Sequence, residues 1–225
     1  QQYDSYDLQT KYQSALGAVM YAMIATRPDI SFAVTALSQF SKDPNNSHWL
    51  SLKRLLRYLR GTMNYKLVYG AQTYDRPTEN HSNEELITGF CDADWGSNVD
   101  DRRSISGYVF LFNGSAISWK SKKQPSVALS SVEAEYMSAS QATREAVWLK
   151  RFLHELNIII DKPISIACDS QGAIAVAKNP EYHARTKHID IQQHYVREKV
   201  DDNTVAFHFT PTTEMIADIL TKAVN

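Results

Sequence analysis

The sequence predicts an α/β protein in which a mixed five-stranded sheet is flanked by helices and preceded by a small helical segment. Three patterns indicate this class. Apolar residues recur at helical spacing in the first third, three strand-like segments separated by turn residues follow, and a long helical pattern then precedes two further strand and helix units. We expect three antiparallel strands and then two parallel ones, with helices covering the sheet.

The first third of the chain predicts three helices. Apolar residues at three- and four-residue steps through Leu16–Ile24 mark one helical face. Pro28 begins a second helix and Pro44 marks the next break, because proline fits the first helical turn and disrupts later ones. A third helix starts with Ser47 as its N-cap and ends at Gly61, with leucines on one face and basic residues on the other. We expect these helices to form a small bundle.

The strongest candidate for a domain boundary lies after these helices. Residues 71–85 are polar and lack periodicity. We therefore predict a helical segment at 1–75, a linker at 76–85 and a sheet-bearing domain at 86–225.

The elements of the second domain are predicted from alternation and helical spacing. The strand signals are LITGFCDAD, SGYVFLF and AISWKS, followed after the long helix by ISIACDS and VAFHFT. The long helix runs from about Ser131 to Leu156. Shorter helices are predicted over GAIAVAK, IDIQQHYVREKV and EMIADILTKA.

Composition limits the classes of protein that the chain can belong to. With 225 residues, of which 43% are hydrophobic, it can bury a sizeable core. No segment approaches the roughly 18 consecutive apolar residues of a membrane helix, and the N-terminus lacks a signal-peptide pattern, so we expect an intracellular protein without membrane association. Cys91 and Cys168 lack the close spacing of a zinc site and are predicted to be buried free thiols.

The net charge of -1 conceals local basic patches. His48–Lys66 holds five basic residues and no acidic one, and further basic groups lie at Arg102–Arg103 and Lys120–Lys123. Separate acidic and basic regions are what a metal-dependent nuclease needs, because phosphates require cations and metal ions require carboxylates.

Four acidic residues fall among apolar neighbours at the ends of predicted elements: Asp92, Glu135, Asp169 and Asp218. Each has an ordinary explanation when taken singly, as a turn residue, a helix cap or a partner of the helix dipole. Together they indicate divalent cations, because a desolvated carboxylate needs a counter-charge and no lysine or arginine is close in sequence to Asp92 or Asp169. Magnesium suits such oxygen ligands, and two ions about 4 Å apart would clamp a phosphodiester during in-line displacement.

At these residues the chain resembles a known family. The stretch TGFCDADWGSNVDDRRSISGYVFLFNGSAISWKSKKQPSVALSSVEAEY resembles the start of the ribonuclease H of copia-type (Pseudoviridae) retrotransposons, and ACDSQGAIAVAKNP, HARTKHIDIQQHYVRE and MIADILTK resemble its later blocks. This resemblance covers residues 86–225. The segments SALGAVMYAMIATRPDISFAV, LSQFSKDPNNSHW and KRLLRYLRGT resemble the part that follows the polymerase palm in the same polyproteins, which implies a thumb- or connection-like segment of reverse transcriptase.

The resemblance implies a ribonuclease H fold and an endonuclease that hydrolyses the RNA strand of RNA–DNA hybrids during retrotransposon reverse transcription. It implies two Mg²⁺ ions, with Mn²⁺ as a substitute, held by Asp92, Glu135, Asp169 and Asp218. The implied partners are the hybrid and the polymerase domain of the same polyprotein, and the implied location is the cytoplasm, in retrotransposon particles. Pairing with a second copy as a homodimer is left open.

Two of the four implied metal ligands have a second acidic residue nearby that could take the same role. SSVEAEY offers Glu133 and Glu135, and the family pattern places the ligand directly before a leucine or aromatic residue, which selects Glu135. Asp94 shares a strand face with Asp92 and is predicted to reach either the metal site or the substrate, with substrate contact as the assigned role. Many ribonucleases H carry a histidine in the loop before the last helix, where this chain has TPTTE; His208 lies in the preceding strand and is not assigned that role.

Basic residues in three places are predicted to contact the substrate, although exposed, solvated side chains are the alternative. They are Lys120, Lys122 and Lys123, then Arg185, Lys187 and His188, and finally Arg54 and Arg57 of the third helix.

The sequence bears on three rival functions. A polymerase is excluded because no YxDD-like tetrapeptide is present. A catalytically idle or domesticated ribonuclease H-like module, kept for nucleic-acid binding or assembly, is the alternative, and the intact carboxylates speak against it. Integrases and resolvases of the same fold lack the DSQGAI and ADILTK blocks in this arrangement.

Overall fold

The computed structural model describes residues 2–70, 86–178 and 187–223, without the side chains of residues 2–6 and 187–193. The chain divides into two compact units, one formed by Gln1–Leu67 with Lys222–Asn225 and the other by Val68–Thr221. The predicted linker, residues 76–85, lies outside the described residues, so its place as the boundary stays a prediction.

The first unit contains the three predicted helices. They are α1 (Gln2–Ala25), α2 (Ser31–Ser38) and α3 (Asn46–Gly61), with a 3₁₀ turn at Pro28–Ile30 before α2. One apolar cluster joins all three, as the predicted bundle requires: Tyr12, Leu16, Val19, Ile30, Val34, Leu52 and Leu55.

Helix α3 begins two residues earlier than the sequence predicted. Its N-cap is Asn45, not Ser47: the Asn45 side chain accepts a hydrogen bond from the His48 amide at 3.0 Å, and the Asn45 amide donates to His48 Nδ1 at 3.1 Å. This reciprocal pair satisfies two backbone donors at once, which a serine two residues later does not do. Ser47 instead donates to the Asn45 side chain.

A polar network joins the turn after α1 to the end of α3. Arg27 donates to both carboxylate oxygens of Asp29, at 2.9 and 2.7 Å, and to the Thr62 hydroxyl at 2.6 Å. The Tyr58 hydroxyl donates to Asp29 at 2.8 Å. Burial alone would raise the pKa of Asp29, but the hydrogen bonds from Arg27 and Tyr58 outweigh it and lower that pKa below its usual value.

Replacement of Asp29 by asparagine should make stability less dependent on pH. A carboxylate with a depressed folded-state pKa stabilises the fold at neutral pH, and that contribution disappears as the pH falls through the folded pKa. We expect Asp29→Asn to lower the free energy of unfolding by about 1 to 2 kcal/mol at pH 7 and by much less near pH 3. Urea denaturation at both pH values measures this, with the exposed Asp43→Asn as the control. An equal loss at both pH values would contradict it.

The second unit is built on a five-stranded sheet with the strand order β3-β2-β1-β4-β5. Strands β1, β2 and β3 are antiparallel neighbours, whereas β4 lies parallel to β1 and β5 parallel to β4. The strands are β1 (Ile87–Asp94), β2 (Ile105–Phe112), β3 (Ser115–Lys123), β4 (Ile164–Cys168) and β5 (Val205–Phe209). The helices are α4 (Ser131–Glu155), α5 (Gln171–Lys178) and α6 (Lys187–Asp201). This is a ribonuclease H-like fold, as the sequence predicted.

Helix α4 forms the core with one face of the sheet. Its small buried residues Ala139, Ala142 and Ala146 allow close approach to the strands, and the Ser130 side chain caps its first turn by accepting from the Glu133 amide. Cys91 and Cys168 lie in the same core as free thiols, which confirms their predicted state. Among the described residues, none of the helices combines the length and the apolar content that crossing a membrane requires.

The final predicted helix is not a continuous α-helix. The chain forms two 3₁₀ turns, Thr212–Glu214 and Ile216–Leu220, separated by Met215 in an extended conformation. Met215 is buried against Ala167 and Ala217, so packing on the sheet overrides the helical propensity of this segment.

Candidate active site

Two of the four predicted carboxylates come to one edge of the sheet because of the strand directions. Cys91 of β1 and Cys168 of β4 are paired in parallel register, and Asp92 and Asp169 are the next residues along each strand. Parallel strands end at the same edge, so both side chains lie there. Asp92 is only 3% exposed, whereas Asp169 is half-buried.

The first turns of α4 bring Glu135 to the same edge. One carboxylate oxygen each from Glu135 and Asp169 lies within 4.8 Å of the other and of Cys168 Sγ. Glu135 is 8% exposed, and its Oε2 atom is buried without a hydrogen-bond partner among the described residues. A buried carboxylate oxygen without a donor is costly unless a cation compensates for it.

The electrostatic environment of Glu135 links it to Asp92 as well. Burial is the largest cause that raises the pKa of Glu135 to about 10, and the negative charge of Asp92 is the next. Cys168 and Asp169 raise this pKa further. A cation in the cluster would offset these causes and lower the pKa of Glu135.

A residue near the C-terminus also contacts Asp92. Thr221, which is fully buried, donates its hydroxyl to Asp92 Oδ2, and the same hydroxyl lies 3.2 Å from the carbonyl oxygen of Asp218. Gly107, the β2 partner of Asp92, permits this packing: a Cβ atom there would lie 2.7 Å from Leu220 Cβ and 2.8 Å from Thr221 Cγ2. The segment that carries Asp218 thus packs beside Asp92.

A second threonine contacts Asp169. Thr212 donates its hydroxyl to Asp169 Oδ2 at 2.7 Å. Thr212 belongs to the TPTTE segment before Asp218, which contains no histidine. Sequence reasoning did not identify Thr212 or Thr221, because no local pattern distinguishes them from the other threonines of the chain.

These donors fit a hard divalent cation. Asp92, Glu135 and Asp169 offer carboxylate oxygens, the ligand type that magnesium prefers, and Glu135 Oε2 lacks a protein partner among the described residues. The backbone carbonyl of Asp218 lies near Thr221, which contacts Asp92, and the Asp218 side chain does not belong to the group that Glu135, Cys168 and Asp169 form.

The relatives of the chain place it in a family. It is 46% identical over 213 residues to the retrovirus-related Pol polyprotein from transposon TNT 1-94 of Nicotiana tabacum, and the match covers 95% of this chain. The chain is homologous over nearly its whole length to Pol polyproteins from copia-type transposons. The matched part is 15% of the length of the tobacco Pol polyprotein.

Two further comparisons concern parts of the chain. It is 51% identical over 138 residues to secreted RxLR effector protein 161 of Plasmopara viticola, a match that covers 61% of this chain and 90% of that protein. The crystal structure of LC11-RNase H1 in complex with RNA/DNA hybrid is similar with a TM-score of 0.45 and 14% identity, covering 60% of this chain and 93% of that one. No protein-family model matches the chain.

Glu133 and Asp94, the two acidic residues near the predicted ligands, have surroundings of their own. Glu133 Oε2 accepts a hydrogen bond from the Leu129 amide at 2.8 Å, so Glu133 serves the start of α4. Asp94 is the last residue of β1, half-buried and outside the group formed by Glu135, Cys168 and Asp169. His208 Nδ1 lies 2.9 Å from Ser165 Oγ on the neighbouring strand, within the sheet rather than in the loop before Asp218.

Most of the predicted substrate-contacting residues that the structure describes are exposed, and the side chains of the others lie outside the described part. Lys120 and Lys122 are exposed on one face of β3, whereas Lys123 pairs with Asp101 at 2.8 Å. Arg54 and Arg57 are exposed on α3. Arg185 lies outside the described residues; Lys187 and His188 begin α6, and their side chains are not described.

Proposed function

We propose that this chain carries a magnesium-dependent ribonuclease H that hydrolyses the RNA strand of RNA–DNA hybrids during retrotransposon reverse transcription. The single observation that carries the proposal is the meeting of Glu135 and Asp169 at the edge of a ribonuclease H-like sheet, with Glu135 Oε2 buried and unpartnered among the described residues. Similarity to the Pol polyproteins supports it.

Asp92, Glu135, Asp169 and Asp218 would hold two magnesium ions, for which manganese can substitute. When bound, these ions polarise the scissile phosphate and supply a water molecule that is more easily deprotonated. The role of Asp94 is to contact the substrate from the same strand face as Asp92.

The chain's own residues fix the orientation of the ligands. Thr221 holds one oxygen of Asp92, and Thr212 holds one oxygen of Asp169. Outer hydrogen bonds of this kind keep a carboxylate in one rotamer before a metal ion arrives, which lowers the cost of binding the ion.

Exposed basic residues would position the nucleic acid. Lys120 and Lys122 lie on one face of the edge strand β3 and would contact phosphates of the DNA strand, with Lys123 beside them. The RNA strand would be distinguished by its 2′-hydroxyl groups across the wide minor groove. Arg185, Lys187 and His188 are proposed as further contacts.

Residues 1–75 are proposed to be the thumb- or connection-like part of reverse transcriptase, and the polymerase domain of the same polyprotein is the proposed partner. The proposed place of action is the retrotransposon particle in the cytoplasm. Whether two copies pair is a matter for measurement of the molecular mass in solution.

Cleavage of labelled RNA–DNA hybrid by the purified chain tests the proposal. We expect the RNA strand to be cut when magnesium or manganese is present, no cutting in excess chelator, and no cutting of duplex DNA or duplex RNA. Binding of the hybrid without cleavage at any metal concentration would contradict the proposal and favour the idle binding module.

The basic face of α3 offers a separate prediction about hybrid binding. We expect the double variant Arg54→Gln, Arg57→Gln to lower the slope of log affinity against log salt concentration by about two units, because each lost phosphate contact removes about 0.9. Cleavage at saturating enzyme should persist, since neither residue belongs to the carboxylate cluster.

The control for this variant is Lys42→Gln, which removes an exposed charge that precedes α3. A salt slope equal to that of the unaltered chain would contradict the role of α3. Hybrid binding would then be confined to residues 86–225.

A further inference from the structure

The group formed by Glu135, Cys168 and Asp169 contains a sulfur atom, which magnesium does not favour as a ligand. Cys168 Sγ lies within 4.8 Å of carboxylate oxygens of both Glu135 and Asp169. Cys168 is the last residue of β4 and is fully buried, so its thiol belongs to the floor of the cluster. Magnesium takes oxygen ligands, whereas thiolates select zinc and other soft or borderline ions.

A second observation indicates that this group of atoms can receive an ion. Glu135 is 8% exposed, and its Oε2 atom is buried without a hydrogen-bond partner among the described residues. Glu135 therefore brings a buried oxygen with unused acceptor capacity, and one of its two carboxylate oxygens is among the ligand atoms of the group. One sulfur and two carboxylate oxygens are ligands that zinc accepts, with a Zn–S distance of about 2.3 Å and Zn–O distances of about 2.0 to 2.2 Å.

The neighbouring cysteine provides an internal comparison. Cys91 is the register partner of Cys168 on β1 and is equally buried, with its thiol directed to the Ala167 carbonyl oxygen at 3.6 Å. Cys91 does not belong to the group that Glu135, Cys168 and Asp169 form. The Cys91 thiol lies beside the Cys168 thiol and within range of the charges of Glu135 and Asp92. Of the two thiols, however, only that of Cys168 joins Glu135 and Asp169 in the group of ligand atoms.

We propose that Glu135, Cys168 and Asp169 form a binding site for one zinc ion, which overlaps the proposed magnesium site and blocks it. On binding, a Zn–S bond forms, the Cys168 thiol proton passes to solvent, and no electron is transferred. A fourth position stays open for water. The overlap with magnesium rests on the proposed function, whereas the zinc site itself rests only on the three side chains.

Cadmium is the probe for this site because a cadmium–thiolate bond absorbs in the ultraviolet and a cadmium–carboxylate bond does not. We expect titration of the full metal-free chain with cadmium to produce this absorption and to saturate at one ion per chain. Cys91→Ser should behave like the unaltered chain. Cys168→Ser should lose the absorption and bind cadmium at least about tenfold more weakly, because removal of a direct ligand costs no less than removal of an outer contact.

Absorption that persists in Cys168→Ser, or that is lost in Cys91→Ser alone, would overturn the site. X-ray absorption spectroscopy of the zinc-loaded unaltered chain tests the site without a variant. We expect one sulfur atom at about 2.3 Å from the zinc ion. A zinc ion surrounded only by oxygen or nitrogen atoms would overturn the proposed site. Excess magnesium should shift the cadmium titration to higher concentrations, and an unchanged titration would overturn the overlap.

None of these measurements depends on nuclease activity. A chain that binds zinc through sulfur and never cuts hybrid would contradict the proposed function alone. A chain that cuts hybrid and shows no metal–sulfur bond would contradict this inference alone.

Discussion

Asp169→Asn is expected to abolish magnesium-dependent cleavage of the RNA–DNA hybrid and to leave the fold intact. Asp169 contributes a carboxylate oxygen to the group with Glu135, so its neutralisation removes a metal ligand. Loss of several kcal/mol of transition-state stabilisation corresponds to a decrease in rate of roughly a thousandfold or more. The metal-free variant should melt at the same temperature as the unaltered chain or higher, because repulsion among the acids decreases.

The matched control is Asp161→Asn, which makes the same chemical change at an exposed position before β4. That variant should retain full activity. Cleavage by Asp169→Asn at the rate of the unaltered chain would remove Asp169 from the mechanism, and unfolding of the variant, seen by circular dichroism, would show a structural role instead.

Thr221→Val is expected to impair both cleavage and stability. The substitution keeps the size of the side chain and removes the hydroxyl that donates to Asp92, at a position where Thr221 is fully buried and Asp92 is 3% exposed. Loss of an outer hydrogen bond to a metal ligand costs about 10- to 100-fold in metal affinity or activity. The buried carboxylate left without this donor should lower the free energy of unfolding by about 1 to 3 kcal/mol.

Thr221→Ser separates the hydroxyl from the methyl group. This variant retains the donor, so we expect it to need nearly the same magnesium concentration for half-maximal cleavage as the unaltered chain, whereas Thr221→Val should need more. If both variants behaved alike in magnesium dependence, the hydrogen bond to Asp92 would have no part in positioning the ligand.

The elements that the sequence predicted well are those with a strong local pattern. All five strands and α4 lie where alternation and helical spacing placed them, because each of these elements buries one face. Asp92, Glu135 and Asp169 could be selected because acidic residues within apolar runs are conspicuous. The pattern also placed them at the ends of elements that meet in this fold.

The details that escaped prediction depend on contacts between residues that are distant in sequence. The hydrogen bond from Thr221 to Asp92 joins residues 129 positions apart, and the bond from Thr212 to Asp169 joins residues 43 apart. Nothing local distinguishes these two threonines from others. The two 3₁₀ turns in place of a final α-helix likewise follow from packing of Met215 on the sheet.

The proximity of Cys168 to the carboxylates has a similar origin. The apolar sequence around Cys168 predicted that this residue is buried, which is correct. The approach of Glu135 to Cys168, in contrast, depends on how α4 packs on β4. The N-cap of α3 was misplaced for a different reason: serine and asparagine both suit an N-cap, and only the histidine three residues after Asn45 decides between them.

The most direct measurement of the central claim is anomalous diffraction from crystals of the chain that contain manganese, which replaces magnesium at carboxylate sites and can be located by its own scattering. We predict manganese peaks among the carboxylates of Asp92, Glu135, Asp169 and Asp218, with Glu135 Oε2 as a ligand. Manganese bound elsewhere, or an Asp218 side chain that points to solvent on the far side of the sheet, would contradict the four-carboxylate site.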